Sequence, residues 1–262
     1  MKGNFTLHQI PSSRVATMDV YSAGSSRHHV AALLELDVTG SRQRLRELKR
    51  GGNRASFTAW IIQTIGLAIR EHPESAAFLK NKKQLITFHD INISTMVEKE
   101  VEGKRVPMPL VIENVPQKSI ADITEELERA RETPLSRSDL VINRKKRTYE
   151  SLYTSLPGFL RRTIWSWIQR HPRTAFQQMG NVMVTSLSMM GKINGWFLFK
   201  TVHPVAFGIG AVTRKPWVVG DEIMPREILH LTVLMDHDVI DGAPMVRFIK
   251  DLARRIEIGD NL

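Results

Sequence analysis

The chain is 262 residues long, 42% hydrophobic and 24% charged, which is enough for a sizeable core and too apolar for a disordered polymer. It has no cysteine, so disulfides, thiolate nucleophiles and cysteine metal sites are excluded. A formal net charge of +10 favours anionic partners (nucleic acid, a membrane surface or a phosphorylated small molecule) without choosing among them.

The start, Met1-Lys2-Gly3-Asn4-Phe5, lacks the apolar core of a signal peptide. The longest apolar stretch, Ala59 to Ile69, is broken by Gln63 and Thr64 and is too short to span a bilayer. A soluble, cytoplasmic protein is expected. Residues 1–29 read as irregular, with small polar clusters at Ser12-Ser13 and Ser22 to Ser26. Alternation of Val30, Ala32, Leu34, Leu36 and Val38 predicts a strand. A polar helix follows from Ser41 to Lys49, stopped by Gly51-Gly52. Ser56 is placed to cap the next helix, which runs to about Glu71 and is apolar on most sides, as a buried helix is. Residues 88–113 read as a hairpin turned at Glu102-Gly103-Lys104, and Ser119 to Thr133 as an amphipathic helix.

Residues 141–180 stand apart. They carry Arg144, Lys145, Lys146, Arg147, Arg161, Arg162, Arg170 and Arg173 against the single acid Glu150. Leu160, Ile164, Trp167 and Ile168 fall on one helical face. A basic amphipathic helix with tryptophan can make peripheral contact with an anionic membrane. It can equally pack on its own domain with its arginines solvated, the commoner use of such a helix. No nucleic-acid module accompanies the segment, so no nucleic-acid partner is expected.

After Pro204, residues Val205 to Val212 predict another strand. Leu229, Leu231, Val233 and Met235 then alternate with His230, Thr232, Leu234 and Asp236. The strand leads into Asp236-His237-Asp238-Val239-Ile240-Asp241-Gly242 and a helix opened by Ala243-Pro244, with Met245, Phe248, Ile249, Leu252 and Ile256 on its apolar face. His237 thus sits on a tight turn between strand and helix, with Gly242 free to take backbone angles that other residues resist. Strands and helices mix without strict alternation and no glycine-rich phosphate loop follows a strand, which favours an α+β fold.

The run Asp236-His237-Asp238-Val239-Ile240-Asp241-Gly242-Ala243 resembles the Asp-His-Arg-x-x-Asp-Gly-Ala pattern of the catalytic domain of 2-oxo acid dehydrogenase dihydrolipoyl acyltransferases, in the superfamily of chloramphenicol acetyltransferase. Gly180 to Gly191 looks like that family's strand carrying a catalytic Ser or Thr. Gly208-Ile209-Gly210 with Lys215-Pro216, and Glu35-Leu36-Asp37-Val38-Thr39, fit as well, in the right order over nearly the whole chain. The sequence departs in having Asp238 where the family has Arg, in Thr185-Ser186-Leu187-Ser188 for the usual Ser/Thr-Asn-Leu-Gly, and in the basic segment at about 141–179, which reads as an insertion.

The resemblance implies a chloramphenicol acetyltransferase-like mixed sheet flanked by helices, in one catalytic domain over 1–262, similar to stand-alone members without a lipoyl domain. It implies acyl transfer from coenzyme A to a thiol or hydroxyl, with no covalent acyl-enzyme and no metal. His237 would be the general base, since neutral imidazole titrates near working pH. Thr185, or failing it Ser186 on the opposite strand face, would steady the oxyanion. Asp241 would make a structural ion pair with an N-terminal arginine, Arg14 or behind it Arg27. The family's trimer would place the histidine of one chain against the Ser or Thr of the next. Competing readings are a non-catalytic acyltransferase-like scaffold and a peripheral membrane-binding protein. An antibiotic O-acetyltransferase also fits the motif. Condensation domains of peptide synthetases share the turn but need two such halves.

Overall fold

The strands of the computed structural model are β1 (His29–Asp37), β2 (Phe78–Asn81), β3 (Gln84–Ile86), β4 (Ile93–Val101), β5 (Lys104–Ile112), β6 (Val182–Ser186), β7 (Val205–Val219) and β8 (Glu222–Asp236). The structure describes residues 3–8, 12–101, 104–132, 153, 155–186 and 193–262. Six strands form one sheet in the order β1-β8-β7-β6-β4-β5, and β2 and β3 pair separately. β6 runs parallel to both β4 and β7, and the other pairs are antiparallel. The sheet is therefore mixed, as the lack of strict alternation predicted. The expected hairpin is β4–β5, whose turn at Glu102-Gly103 lies outside the described residues.

The helices are α1 (Ser12–Gly24), α2 (Thr39–Arg50), α3 (Phe57–Glu71), α4 (Ile120–Glu132), α5 (Gly158–Arg170), α6 (Pro172–Met179) and α7 (Gly242–Ile258). α3 starts where Ser56 accepts a hydrogen bond from the Ala59 N–H, satisfying one of the donors that a helix start leaves open. Its Trp60, Ile61, Ile62, Ile65 and Ile69 are fully buried, as an all-round apolar helix must be. They join Val182, Val184, Val205, Phe207, Leu229, Leu231, Val233 and Met235 from the sheet, and Met245, Phe248, Leu252 and Ile256 from α7, in one core.

Period two thus put the correct residues of β8 on the core face. The opposite face of the strand is also buried, with His230, Thr232, Leu234 and Asp236 all nearly inaccessible. The segment before β7 covers it. Trp196 donates its indole N–H to the Leu34 carbonyl and sets its ring edge-on to His230, with centroids 4.7 Å apart. The glycines of Gly208-Ile209-Gly210 allow this close approach: a Cβ on Gly210 would come within 2.8 Å of the His230 carbonyl oxygen.

Three sequence expectations need correction. Residues 12–24 are helical rather than irregular, because α1 is fixed by distant partners and not by an apolar stripe of its own. β7 and β8 each run 15 residues, well beyond the apolar runs that announced them, as one long hairpin. Gly242 has no positive φ and nothing within 4 Å of a Cβ built on it, so the turn does not demand glycine there. Gly180 is the glycine that the site's scaffold requires: it has φ +75°, and a Cβ would fall 2.2 Å from the Asn92 carbonyl oxygen.

Candidate active site

His237 follows β8 directly, and α7 begins five positions later with Asp241 as its N-cap residue. The turn is held from beneath. The Asp236 N–H donates to the Pro204 carbonyl and the His237 N–H to the His28 carbonyl, at 2.9 and 3.0 Å. Asp236 is buried and takes the Arg27 guanidinium at 2.7 Å, while its other oxygen accepts from the Asp238 N–H at 3.2 Å. One carboxylate therefore ties the end of the strand to the turn and to the chain entering β1. Asp238, where the family pattern has arginine, accepts from exposed His28 at 2.9 Å. The His237 ring is exposed and has no hydrogen-bond partner among the described residues.

Under this turn lies a residue that sequence reasoning passed over. His203 is buried; one ring nitrogen meets the Thr201 hydroxyl at 2.9 Å and the other the Met179 carbonyl at 3.1 Å. Its own carbonyl accepts from the His29 ring at 2.9 Å, which links it to β1. Burial, helped by the nearby charge of Arg27, pushes the His203 pKa from 6.5 down to about 4. Burial lowers His29 in the same direction. Between about pH 6.5 and 4 the unfolded chain binds a proton that folded His203 refuses. Its contribution is thus fully present above pH 6.5 and lost as pH falls toward 4. Moving from pH 7 to 5 should cost about 2 kcal/mol through this residue. Urea unfolding at the two pH values should show that loss in the wild type and a clearly smaller one in His203→Gln. An equal loss in both would acquit His203.

Thr185 lies near the end of β6, half-buried, and its hydroxyl has no partner among the described residues. Its neighbour Ser186 ends the strand, and Leu187 to Gly191 of the same signature lie outside the described residues. The structure does not bring Thr185 and His237 together within one chain. Register sets Thr185 opposite Gly208, and Gly208 opposite Thr232. His237 leaves the sheet beyond Met235, which faces Val205 at the start of β7, level with Val182 at the start of β6. At about 3.4 Å per residue and about 4.8 Å per strand, the two side chains are on the order of 20 Å apart. Thr185 lies near the end of β6, and His237 beyond the level of its start.

Asp241 is exposed, makes no side-chain cap and has no ion pair among the described residues. Of the two arginines considered for it, Arg27 is taken by Asp236, and Arg14 is exposed on α1 without an ion pair among the described residues. The buried ion pair at this turn is therefore Arg27–Asp236.

The remaining signatures converge in space. Glu35 of β1, Lys215 of β7 and His230 of β8 form one cluster. Lys215 donates to Glu35 and, at 2.9 Å, to His230 Nε2, while His230 Nδ1 donates to the Ala211 carbonyl at 3.2 Å. The Lys215 ammonium holds the Glu35 carboxyl below the usual carboxylate range. Among the described residues no group of three or more His, Asp or Glu could hold a metal ion, and no helix is long and apolar enough to cross a membrane.

The site is thus a six-stranded mixed sheet whose strand β8 ends in the His-x-x-x-Asp-Gly turn. The family model for the catalytic domain of 2-oxoacid dehydrogenases acyltransferase matches residues 13–141 and 170–262, and the chain belongs to that family. It is 24% identical over 255 residues to the dihydrolipoyllysine-residue acetyltransferase component of the pyruvate dehydrogenase complex of Staphylococcus epidermidis. That match takes in 92% of this chain and 49% of the relative, so the chain spans about half the length of the relative. The fold is similar to that of dihydrolipoamide acetyltransferase from Azotobacter vinelandii, with TM-score 0.68 and 18% identity, covering 96% of this chain and 92% of that one. It is also similar to the chain forming the cubic core of the pyruvate dehydrogenase multienzyme complex, with TM-score 0.65 and 16% identity, covering 96% and 92%.

Proposed function

We propose that the chain transfers an acyl group between coenzyme A and a thiol acceptor of dihydrolipoyl type, at a site shared by neighbouring subunits of a homotrimer. The observation that carries this reading is that Thr185 lies near the end of β6 and His237 beyond the level of its start, neither side chain having a hydrogen-bond partner among the described residues. Neither can complete a site alone. Cyclic symmetry brings the histidine end of one subunit to the threonine end of the next and makes identical sites. The serine, histidine and asparagine studied for the catalytic mechanism of the Azotobacter vinelandii enzyme fall at the same sequence intervals as Thr185, His237 and Asp241. The related cubic core also lends support to an assembly.

In this reading His237 takes the proton from the acceptor thiol, and the resulting thiolate attacks the thioester carbonyl. Charge gathers on the carbonyl oxygen, where the Thr185 hydroxyl of the adjoining subunit donates a hydrogen bond. Collapse breaks the bond to the coenzyme A sulfur, which recovers the proton from the imidazolium. Asp241, exposed beside the turn, is left for a contact across the subunit boundary. The excess of basic residues suits a ligand with several phosphate charges. Mass spectrometry of products after incubation with a panel of acyl-coenzyme A thioesters and dihydrolipoamide should find acylated dihydrolipoamide. No product from any donor would favour a non-catalytic scaffold.

A further inference from the structure

The family match stops at residue 141 and resumes at 170, so most of α5 lies in a stretch that the family pattern does not cover. This helix is built inside out. Its inner face meets α1 through polar groups: Arg161 donates to Asp19 at 2.7 Å, and Gln169 to the Ala23 carbonyl at 2.9 Å. Tyr153 also donates to Asp19, at 2.7 Å, and receives the Trp165 indole N–H at 2.9 Å. None of the residues of α5 is buried. Four of its apolar side chains point outward instead, with Phe159 61%, Leu160 40%, Ile164 36% and Trp167 51% exposed, while Trp165 and Ile168 are half-buried. Leu160, Ile164 and Trp167 follow at intervals of four and three, so they line one stripe. A helix that packs through polar groups and presents a hydrophobic stripe to water has no apolar partner for that stripe among the described residues.

We propose that this outer face of α5 docks on an anionic lipid bilayer. Charge selects that occupant. Between Gly158 and Met179 there are four arginines and no Asp or Glu. Arg161 is spent on Asp19, and Arg162, Arg170 and Arg173 have no ion pair among the described residues. Arg170, three residues after the exposed Trp167 and so on the flank of the stripe, matches the interfacial helix, whose rings enter the headgroup boundary while its cation meets lipid phosphate. The same face of a second copy would bring only like charge. This surface is independent of the acyl-transfer reading, since none of these residues is assigned to the site.

Co-sedimentation of the full chain with vesicles tests it. Binding is expected to vesicles of phosphatidylglycerol and phosphatidylcholine in equal parts, and not to phosphatidylcholine alone. The double variant Phe159→Ala/Trp167→Ala should bind the anionic vesicles at least tenfold more weakly. Arg170→Gln should lose about fivefold, less at high salt. No sedimentation, equal sedimentation with neutral vesicles, or full binding by the aromatic variant would each overturn the proposal. So would a change in particle size of the aromatic variant by light scattering without vesicles, since the face would then belong to a second copy. Should the variants misfold, brominated phosphatidylglycerol should quench wild-type tryptophan fluorescence more than that of Trp167→Phe, and equal quenching would count against docking.

Discussion

His237→Ala should lower acyl transfer by roughly 10²–10⁴-fold, the usual cost of removing a general base. Melting temperature and assembly should stay close to wild type. The ring is exposed and has no hydrogen-bond partner among the described residues, so its removal opens no cavity and strands no buried group. The main-chain bond from the His237 N–H to the His28 carbonyl survives the substitution. The loss should appear in kcat rather than in the binding of coenzyme A, because proton transfer matters in the transition state. A variant that keeps more than about half of the wild-type rate would remove His237 from the chemistry.

Asp236→Asn should do the opposite kind of damage. It leaves the His237 side chain untouched and removes the charge that answers Arg27, in a pair whose acid is buried and whose arginine is only 12% exposed. Breaking a buried ion pair on one side commonly costs about 3–5 kcal/mol, which in a chain of this size lowers the melting temperature by roughly 10 °C. The orientation of the turn also suffers, because the same carboxylate accepts the Asp238 N–H. Arg27→Met/Asp236→Leu should recover much of the loss, since an uncharged pair leaves no stranded ion. Calorimetry of the single and double variants decides it. An Asp236→Asn variant that melts like wild type would show that the pair is not holding the turn.

Much of this was legible in the sequence because it is local. Alternation gave the core face of β8, the Ser56 cap marked the start of α3, and the apolar stripe of α7 predicted Met245, Phe248, Leu252 and Ile256 inside. What escaped depends on distant partners. Arg27 and Asp236 meet across 209 residues of chain, and no spacing rule could select Asp236 over Asp241. His203 is buried by three elements that the sequence does not place together, so it read only as the residue before Pro204. α1 has no apolar stripe strong enough to declare it, and its Asp19 finds Arg161 in the stretch between the two family-matched segments. On α5 the period was right, but a period does not say which way a stripe faces. Of the four residues of that stripe, Leu160, Ile164 and Trp167 turned outward and Ile168 is half-buried.

Mixing two inactive variants tests the shared site most directly. His237→Ala chains and Thr185→Ala chains, unfolded and refolded together, should regain activity, because some interfaces then pair an intact histidine with an intact threonine. Each variant refolded alone should stay low, as loss of one oxyanion donor typically costs about 10²–10³-fold. If light scattering shows well-mixed trimers that stay inactive, or wild-type protein proves fully active as a monomer, the site does not span two subunits.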